Sequence, residues 1–287
     1  MAAGGAFPVV DLAPFFTEDD SGGRAGATEA VLEACRTHGC FRVVNHGVPA
    51  ELMARALELS AAFFVLPDDE KAKARQAEGT VAPVPAGYIR QPAHSADKLE
   101  TVLVFDPKRG FNEEAVEECY AKFTELGLLL QDVLNKCMGL PPGFLRDYNG
   151  DRSFDFMAAH HYFPATEEGN NGLSVHEDGN CITFVFQDGV GVGGLEVLKD
   201  DEWVTAAEPV DSSINVNIGD IMKVLTNNKF KSPMDRVVMK PVHRHSFAFF
   251  FSLHGDKWVE PLPEFTAKIG EAPRYRGSCW TRTCRGG

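Results

Sequence analysis

Short apolar stretches dominate the second half of the chain. From about residue 155 onward, runs rich in Val, Ile, Phe and Thr alternate with turn residues. The runs are MAAHHYF, NCITFVFQ, GLEVLK, EWVTA, SINVNIGD, IMKVLTN, DRVVMK and HSFAFFFSL. Many short strands at close spacing are typical of antiparallel sandwiches and barrels, so we expect one of these here.

The first half has a different pattern, in which helical periods predominate. FPVVDL predicts a strand, a Gly-rich loop follows it, and ATEAVLEACRTHG predicts a helix that leads into the strand CFRVVNHG. Apolar residues near helical spacing predict further helices over about 49–75 and 113–139. The segment 76–95 between them is rich in Gly and Pro and predicts a long loop of the kind that covers binding sites. The expected architecture is a helical N-terminal part packed against a C-terminal β-sandwich.

Composition narrows the function classes. The 287 residues carry a formal net charge of -13, which argues against nucleic acid or an anionic membrane as the main partner. We see no apolar run of the roughly 18 residues that a membrane helix needs, and no secretory signal. The seven cysteines are odd in number and form no CxxC pair, which favours reduced thiols in the cytoplasm. We expect a monomer that acts on a small molecule.

A candidate metal motif stands before one of the predicted strands. His176 and Asp178 are two positions apart, and residues i and i+2 of a strand point the same way. An imidazole and a carboxylate that converge suit a divalent first-row metal, and a second histidine would complete the facial triad of non-haem iron oxygenases. The HxD pair alone occurs by chance in many solvated turns.

A candidate carboxylate receptor opens the last long strand. Arg244 and Ser246 share one face of RHSFAFFFSL, and a guanidinium beside a hydroxyl can bind a carboxylate through two parallel hydrogen bonds. In isolation, an ordinary surface Arg and Ser would be the better explanation of this pair. Its position downstream of the HxD motif is what gives it weight.

Taken in order, these motifs resemble a known family. The matching stretches are FPVVDLAPFF, CRTHGCFRVVNHGVP, HHYFPAT, LSVHEDGNCITFVFQD, GGLEVLKDDEWV, INVNIGDIMKVLTNNKFKSPMDRVV, RHSFAFFFSLHGDKWVEPLPEF and APRYRG. They resemble the plant 2-oxoglutarate- and iron(II)-dependent dioxygenases, which include flavanone hydroxylase and flavonol synthase. The resemblance covers nearly the whole chain, to about Gly277.

The resemblance implies a fold and a division of the chain. The fold is mainly β with α: a double-stranded β-helix, or jelly roll, with an N-terminal helical region. The N-terminal region would span 1–110, a helix leading into the core 111–150, the jelly roll 151–266 and an atypical tail 267–287. The implied cofactor and co-substrates are iron(II), 2-oxoglutarate and dioxygen, with ascorbate as a reductant.

The resemblance also assigns residues. His176 and Asp178 would bind iron, and Arg244 and Ser246 would bind the distal carboxylate of 2-oxoglutarate. The implied reaction is hydroxylation or desaturation of a small aromatic or terpenoid-like plant metabolite. The residues expected to line the substrate pocket are His161, Phe163, Phe247 and Phe249.

One departure from the family pattern concerns the third metal ligand. The family has a second histidine where this chain has Asp235, which lies 59 residues after His176 and nine before Arg244. Replacing a nitrogen donor by a carboxylate shifts the preference toward Mg²⁺, Ca²⁺ or Mn²⁺. We therefore expect the metal set to be His176, Asp178 and Asp235, with reduced affinity for iron.

A second departure lies in HHYFPAT. Family members carry Asn-x-Tyr before the proline, and the positions equivalent by count are His161 and Phe163. Tyr162 is the remaining source of the co-substrate hydroxyl, although strand alternation predicts that it faces the other way. The end, SCWTRTCRGG, does not resemble the family's C-terminal helix and looks truncated.

Two alternatives to an active oxygenase stay open. Asp235, Phe163 and the unusual end favour an inactive relative that binds a metabolite or another protein. Metal-assisted chemistry without oxidation, such as a cyclisation, is the other alternative, and no sequence feature supports it.

Overall fold

Two facing β-sheets form the centre of the protein. The computed structural model describes residues 7–74, 86–92, 94–105, 114–165, 171–188, 193–206 and 212–279. The larger sheet has eight strands in the order β1-β2-β10-β7-β12-β5-β4-β3, and the smaller has four in the order β6-β11-β8-β9. Buried residues of both sheets, among them Tyr162, Leu195 and Val237, pack between them. This sheet-rich core with several helices confirms the predicted fold class.

The strands are short, as their spacing in the sequence predicts. Their bounds are β1 Val9–Asp11, β2 Cys40–Val44, β3 Gly87–Arg90, β4 Leu99–Val104, β5 Phe156–Tyr162, β6 Asn171–His176, β7 Ile182–Gln187, β8 Leu195–Lys199, β9 Glu202–Thr205, β10 Ile214–Ile218, β11 Asp235–Val238, β12 Arg244–Phe251, β13 Trp258–Val259 and β14 Ser278–Cys279. Strands β1 to β4 come from the N-terminal region and extend the large sheet on both sides.

Helices cover the outer face of the large sheet. Their bounds are α1 Ser21–Thr37, α2 Ala50–Phe64, α3 Asp68–Lys71, α4 Glu114–Cys137, α5 Phe144–Tyr148 and α6 Asp220–Leu225. The 24-residue helix α4 packs Phe123 against Phe186 and Phe249 of the sheet, with the first ring pair stacked at 5.2 Å. No helix in the described ranges is both long and apolar enough to span a bilayer.

Four predicted elements differ from the structure, and one of them is the loop over 76–95, which contains strand β3. Helix α1 begins at Ser21, inside the predicted loop, because Asp20 caps it by accepting a hydrogen bond from the amide of Gly23. The predicted helix over 49–75 ends at Phe64, since Pro67 cannot continue it, and α3 follows separately. IMKVLTN forms helix α6, not a strand, with Ile221 and Leu225 buried one helical turn apart.

Parts of two predicted segments lie outside the described residues. They are 76–85 and residue 93 of the predicted loop over 76–95, and 280–287 of the predicted tail. The proposed division at 110, 150 and 266 stays a prediction. The N-terminal strand β2 nevertheless pairs directly with β10 of the core, so the two regions share one sheet.

Candidate metal and co-substrate site

Three side chains from two strands of the small sheet converge at one point. His176 ends β6, Asp178 follows it by two residues, and Asp235 opens β11, where it pairs with His176. The Nε2 atom of His176 lies 3.7 Å from Oδ1 of each carboxylate. One ligand atom from each residue lies within 4.8 Å of the others, so a single ion can touch all three.

Asn217 orients the two carboxylates. It lies on β10 of the large sheet, and its Nδ2 donates to Oδ2 of Asp235 at 2.9 Å and to Oδ2 of Asp178 at 3.4 Å. The Oδ1 atoms are then left facing His176. A side-chain amide that orients both carboxylates in this way preorganises the site for a cation.

The charges of the site also favour a cation. Burial raises the pKa of Asp235 to about 8, and the neighbouring Asp178 carboxylate adds to the effect. Burial lowers the pKa of His176, but the two nearby acids outweigh it and raise the value overall. Below about pH 8, a proton on Asp235 therefore competes with a metal for this site. One imidazole and two carboxylates suit a divalent ion, with a donor set richer in oxygen than one carboxylate and two histidines.

A buried arginine lies at the other end of the same cavity. Arg244, at the start of β12, is only 2% exposed, and its Nη2 donates to Oε1 of Gln187 at 2.7 Å. Within the described part of the chain, its Nε and Nη1 atoms have no hydrogen-bond partner. Burying unpaired cationic donors is costly, so this guanidinium fits a site for an anion.

Tyr162 and Ser246 complete the arginine end. Tyr162 pairs across the strands with Arg244, and its hydroxyl hydrogen bonds with the side chain of Ser246. The Arg244 guanidinium carbon lies 5.5 Å from the centre of the Tyr162 ring. All three side chains line the cavity that also contains the metal ligands. They are the three residues that the sequence analysis assigned to 2-oxoglutarate.

His160 faces the cavity between the two ends. Its Nδ1 lies 2.9 Å from the hydroxyl of Thr101, and that hydroxyl donates its proton to the carbonyl oxygen of Ala159 at 2.8 Å. Nδ1 of His160 must therefore be protonated and donate a hydrogen bond to the Thr101 hydroxyl. In the neutral ring, Nε2 then carries a lone pair. Burial lowers the pKa of His160 to about 4, so the ring stays neutral at physiological pH.

The four residues predicted to line the substrate pocket lie outside the cavity that contains the metal ligands and Arg244. His161 and Phe163 lie on the outer face of the large sheet, where their rings contact each other at 4.8 Å. Phe247 and Phe249 pack between the sheet and α4, and Phe247 stacks on Phe186 at 5.4 Å. The alignment by count placed the key tyrosine one residue late, at Phe163. The inward residues of β5 are His160 and Tyr162, which line the cavity.

Sequence reasoning also missed four residues of the site. The sequence motifs assign no role to Asn217 or His160. Gln187 and Gly194 were not singled out. The detectable signal was the alternation of polar residues in strands that are otherwise apolar, as in INVNI and ITFVFQ.

Comparison with known proteins agrees with this geometry. Residues 7–118 match the family model for the N-terminal region of non-haem dioxygenase in morphine synthesis, and residues 153–253 match the 2OG-Fe(II) oxygenase superfamily. Gibberellin 20 oxidase 2 of Oryza sativa subsp. indica is 34% identical over 276 residues, which cover 89% of this chain and 70% of the relative. The chain belongs to the 2OG-Fe(II) oxygenase superfamily. As a member, it is an enzyme of the class that uses iron(II), 2-oxoglutarate and dioxygen.

Two further similarities support the assignment to this superfamily. Flavanone 3-dioxygenase 2 of Oryza sativa subsp. japonica is 34% identical over 251 residues, covering 81% of this chain and 69% of the relative. The crystal structure of JOX2 in complex with 2OG, Fe and JA superposes with a TM-score of 0.82 at 26% identity. That superposition covers 97% of this chain and 84% of JOX2.

Proposed function

We propose that this superfamily member binds a divalent metal at His176, Asp178 and Asp235 and uses 2-oxoglutarate to hydroxylate or desaturate a small metabolite. The observation that carries the proposal is one cavity with a three-ligand cation site at one end and a partly unpaired, buried guanidinium at the other. A dicarboxylate that chelates a metal needs both of these ends.

At the anionic end, Arg244 would hold the distal carboxylate of 2-oxoglutarate. Its unpaired Nε and Nη1 atoms would gain the acceptors that they lack. The hydroxyls of Ser246 and Tyr162 would satisfy the remaining lone pairs of the carboxylate. Gln187 would keep the guanidinium in place through its contact with Nη2.

At the metal end, His176, Asp178 and Asp235 would hold the ion, and Asn217 would keep the two carboxylates aimed at it. The metal and 2-oxoglutarate, when bound, supply the activation of dioxygen and the oxidising power. The protein's own part is to fix the two ends of the co-substrate and to exclude water from the space between the sheets.

We further propose that Asp235 reduces the affinity for iron. An additional carboxylate lowers the net charge of the loaded site by about one unit and replaces a nitrogen donor by oxygen, which favours Mg²⁺ or Mn²⁺. Its raised pKa adds a second cost, because the ion must displace a proton below about pH 8.

Aromatic residues near the cavity support a proposal for the substrate class. Phe250 lines it and stacks on Phe156 at 4.3 Å, and Phe105 lies 4.9 Å from Phe156. Such a surface suits a flat apolar compound. Two relatives are named for gibberellin and for flavanone, and both are from the plant Oryza sativa. We propose an aromatic or terpenoid-like plant metabolite here.

A second candidate function is binding without turnover. Asp235 is the specific observation in its favour, because the metal set departs from the family's two histidines and one carboxylate. In this case the cavity would bind a carboxylate or a metabolite, and 2-oxoglutarate would not be consumed.

Anaerobic titration with Fe(II) followed by measurement of 2-oxoglutarate-dependent succinate formation separates the candidates. We expect weak iron binding and slow succinate release in the natural protein. Asp235→His should raise both, by roughly tenfold or more in iron affinity. Asp235→Asn is the matched control, because it removes the charge without adding a nitrogen donor.

Full iron loading with rapid succinate release in the natural protein would contradict the proposed effect of Asp235. Iron binding without succinate in either protein would favour the binding function. An Asp235→His variant that binds iron but never forms succinate would have the same meaning.

A further inference from the structure

Three histidines lie on the outer face of the large sheet, behind the residues that we assign to 2-oxoglutarate. His161 of β5 and His245 of β12 pair across the strands, and His243 precedes β12. We call His161, His243 and His245 the outer histidine cluster. The next pair of the same ladder, Arg244 and Tyr162, points inward to the cavity.

The cluster is held by a chain of hydrogen bonds. The Nδ1 atom of His161 lies 2.8 Å from Oε1 of Glu100, its neighbour on β4, and its Nε2 lies 2.8 Å from Nδ1 of His243. The rings of His161 and His245 stack at 4.8 Å with an angle of 10°. Phe64 at the end of α2 covers both of these rings, at 5.5 and 6.2 Å.

The ionisation of Glu100 fixes which ring nitrogen of His161 must carry a proton. Burial raises the pKa of Glu100, but the hydrogen bonds that it accepts outweigh this effect and hold the pKa at about 2. Glu100 is thus a carboxylate, which also accepts from Lys71 of α3 at 2.9 Å and from Tyr88 of β3 at 2.6 Å. It can therefore only accept from Nδ1–H of His161.

That assignment determines the rest of the chain of hydrogen bonds. With Nδ1 protonated, a neutral His161 has a lone pair on Nε2, which accepts from Nδ1–H of His243. A doubly protonated His161 would need His243 to present a lone pair instead. When both rings are imidazolium, two N–H groups face each other over 2.8 Å and the contact cannot form.

Few groups can compensate for added positive charge here. Asp188, after β7, lies 3.4 Å from Nδ1 of His245, and Glu100 is already shared with Lys71. Asp68 also pairs with Lys71, at 3.1 Å, and Arg90 of β3 lies over the ring of Phe163, which contacts His161. Burial and the two neighbouring imidazoles lower the pKa of His243, as expected for like charges at short range.

We propose that the outer histidine cluster positions Arg244 and Tyr162 for 2-oxoglutarate and makes this binding weaken in acid. The inference rests on the proposed function, because it concerns the affinity of the co-substrate site. The backbone ladder pairs β5 with β12, and the ring contacts among the three histidines add side-chain contacts at the end of that ladder where Arg244 and Tyr162 lie. Protonation of two rings breaks the hydrogen bond between His161 and His243 and places like charges in stacked rings. These histidines are adjacent in sequence to Tyr162 and Arg244, which form the carboxylate receptor.

The test measures the dissociation constant of 2-oxoglutarate between pH 5.5 and 8.5 with saturating Mn²⁺. In the natural protein we expect the constant to rise at least roughly fivefold on the acid side. In His161→Gln/His245→Gln the rise should disappear, because an amide can still donate to Glu100 but does not titrate. The metal ligands are the same in both proteins, so the difference between the two profiles excludes their titration.

Two further variants make the result decisive. His243→Gln changes an exposed residue, so folding should be retained, and the amide can turn to match either state of His161. It should reduce the acid-side loss. His254→Gln is the control, because His254 contacts Asp256 outside the cluster and should leave the profile unchanged.

The outcomes separate this inference from the proposed function. If the natural protein binds 2-oxoglutarate and its pH profile matches that of His243→Gln and of the double variant, the cluster does not position the site. If no protein binds 2-oxoglutarate at pH 7.5, the proposed function itself is wrong.

Discussion

The position of Arg244 depends on a residue that has no side chain. Gly194 lies against the guanidinium, and a Cβ atom built on it would be 2.5 Å from Cζ of Arg244. The guanidinium is buried and its Nη2 donates to Gln187, so a side chain at position 194 would have to displace it from this position. The glycine therefore keeps open the space in which the carboxylate receptor forms.

Gly194→Ala should weaken 2-oxoglutarate binding without changing the metal site. The methyl group displaces the guanidinium, so one or both of its hydrogen bonds to the carboxylate are lost. We expect the dissociation constant to rise by roughly 10- to 100-fold, the effect of losing a charge-assisted hydrogen bond. Isothermal titration with 2-oxoglutarate measures this, and Mn²⁺ affinity in the same variant is the internal control. Unchanged 2-oxoglutarate affinity would contradict the role given to Gly194.

At the same scale, the site shows what residue order could and could not predict. The ordered motifs that resemble the dioxygenase family located His176, Asp178, Arg244 and Ser246, and strand alternation explains why the residues i and i+2 of each pair face the same way. The tyrosine was misplaced because the count started from Pro164, outside β5, whereas the side-chain direction is fixed by pairing of Tyr162 with Arg244. A one-residue shift exchanges the two faces of a strand.

At the scale of elements, helix α4 fixes the outer face of the large sheet. Its residue Gly127 is buried, and a Cβ there would lie 2.7 Å from Cε2 of Phe251 on β12. Phe251 is fully buried and also lies under the guanidinium of Arg152 at 4.0 Å. The ring cannot move aside, so the small residue sets how closely helix and sheet approach.

Gly127→Ala should destabilise the protein even though alanine is the better helix former. Overpacking against the fixed ring costs about 1–3 kcal/mol, and the gain in helix propensity is at most about 1 kcal/mol. Gly26→Ala in α1 is the matched control, since its Cβ meets nothing within 4 Å, and it should stabilise by up to about 1 kcal/mol. Urea denaturation of the apo proteins measures both. Equal effects of the two substitutions would contradict this account.

The fold class was predicted correctly, but not every helix was. Strands followed from alternation, and α4 from its helical period. Helix α6 was missed because a run such as IMKVLTN, only seven residues long, does not separate a helix from a buried strand. Its direction is set by contacts from elsewhere, such as the amide of Asp220 bonding to the carbonyl oxygen of Asp178 at 2.8 Å. Tertiary contacts of this kind are absent from any local pattern.

At the scale of the whole molecule, the metal site couples ligand binding to stability. Asp235 has a pKa near 8 in the folded apo protein, above its ordinary value of 3.8, because it is buried beside Asp178. The folded state then binds a proton more tightly than the unfolded chain. Protonation of Asp235 therefore contributes to the free energy of unfolding. This contribution is largest near pH 4, decreases as the pH rises, and is lost as the pH passes the folded-state pKa of about 8.

A divalent ion should reverse that loss, and more effectively at high pH. Below about pH 8 the ion must displace the proton of Asp235, so the apparent Mn²⁺ affinity should rise with pH by up to about tenfold per unit and level off above 8. The thermal midpoint at fixed Mn²⁺ follows the affinity, since ligand that binds only the folded state stabilises by RT ln(1 + [L]/Kd). The midpoint shift at pH 8.5 should therefore exceed that at pH 6.5. The Asp235→Asn variant has no proton to release at this position. It should bind Mn²⁺ more weakly than the natural protein, and its Mn²⁺ affinity should change little between pH 7.5 and 8.5. Equal Mn²⁺ affinity of the natural protein at pH 6.5 and 8.5 would exclude Asp235 as a ligand that titrates.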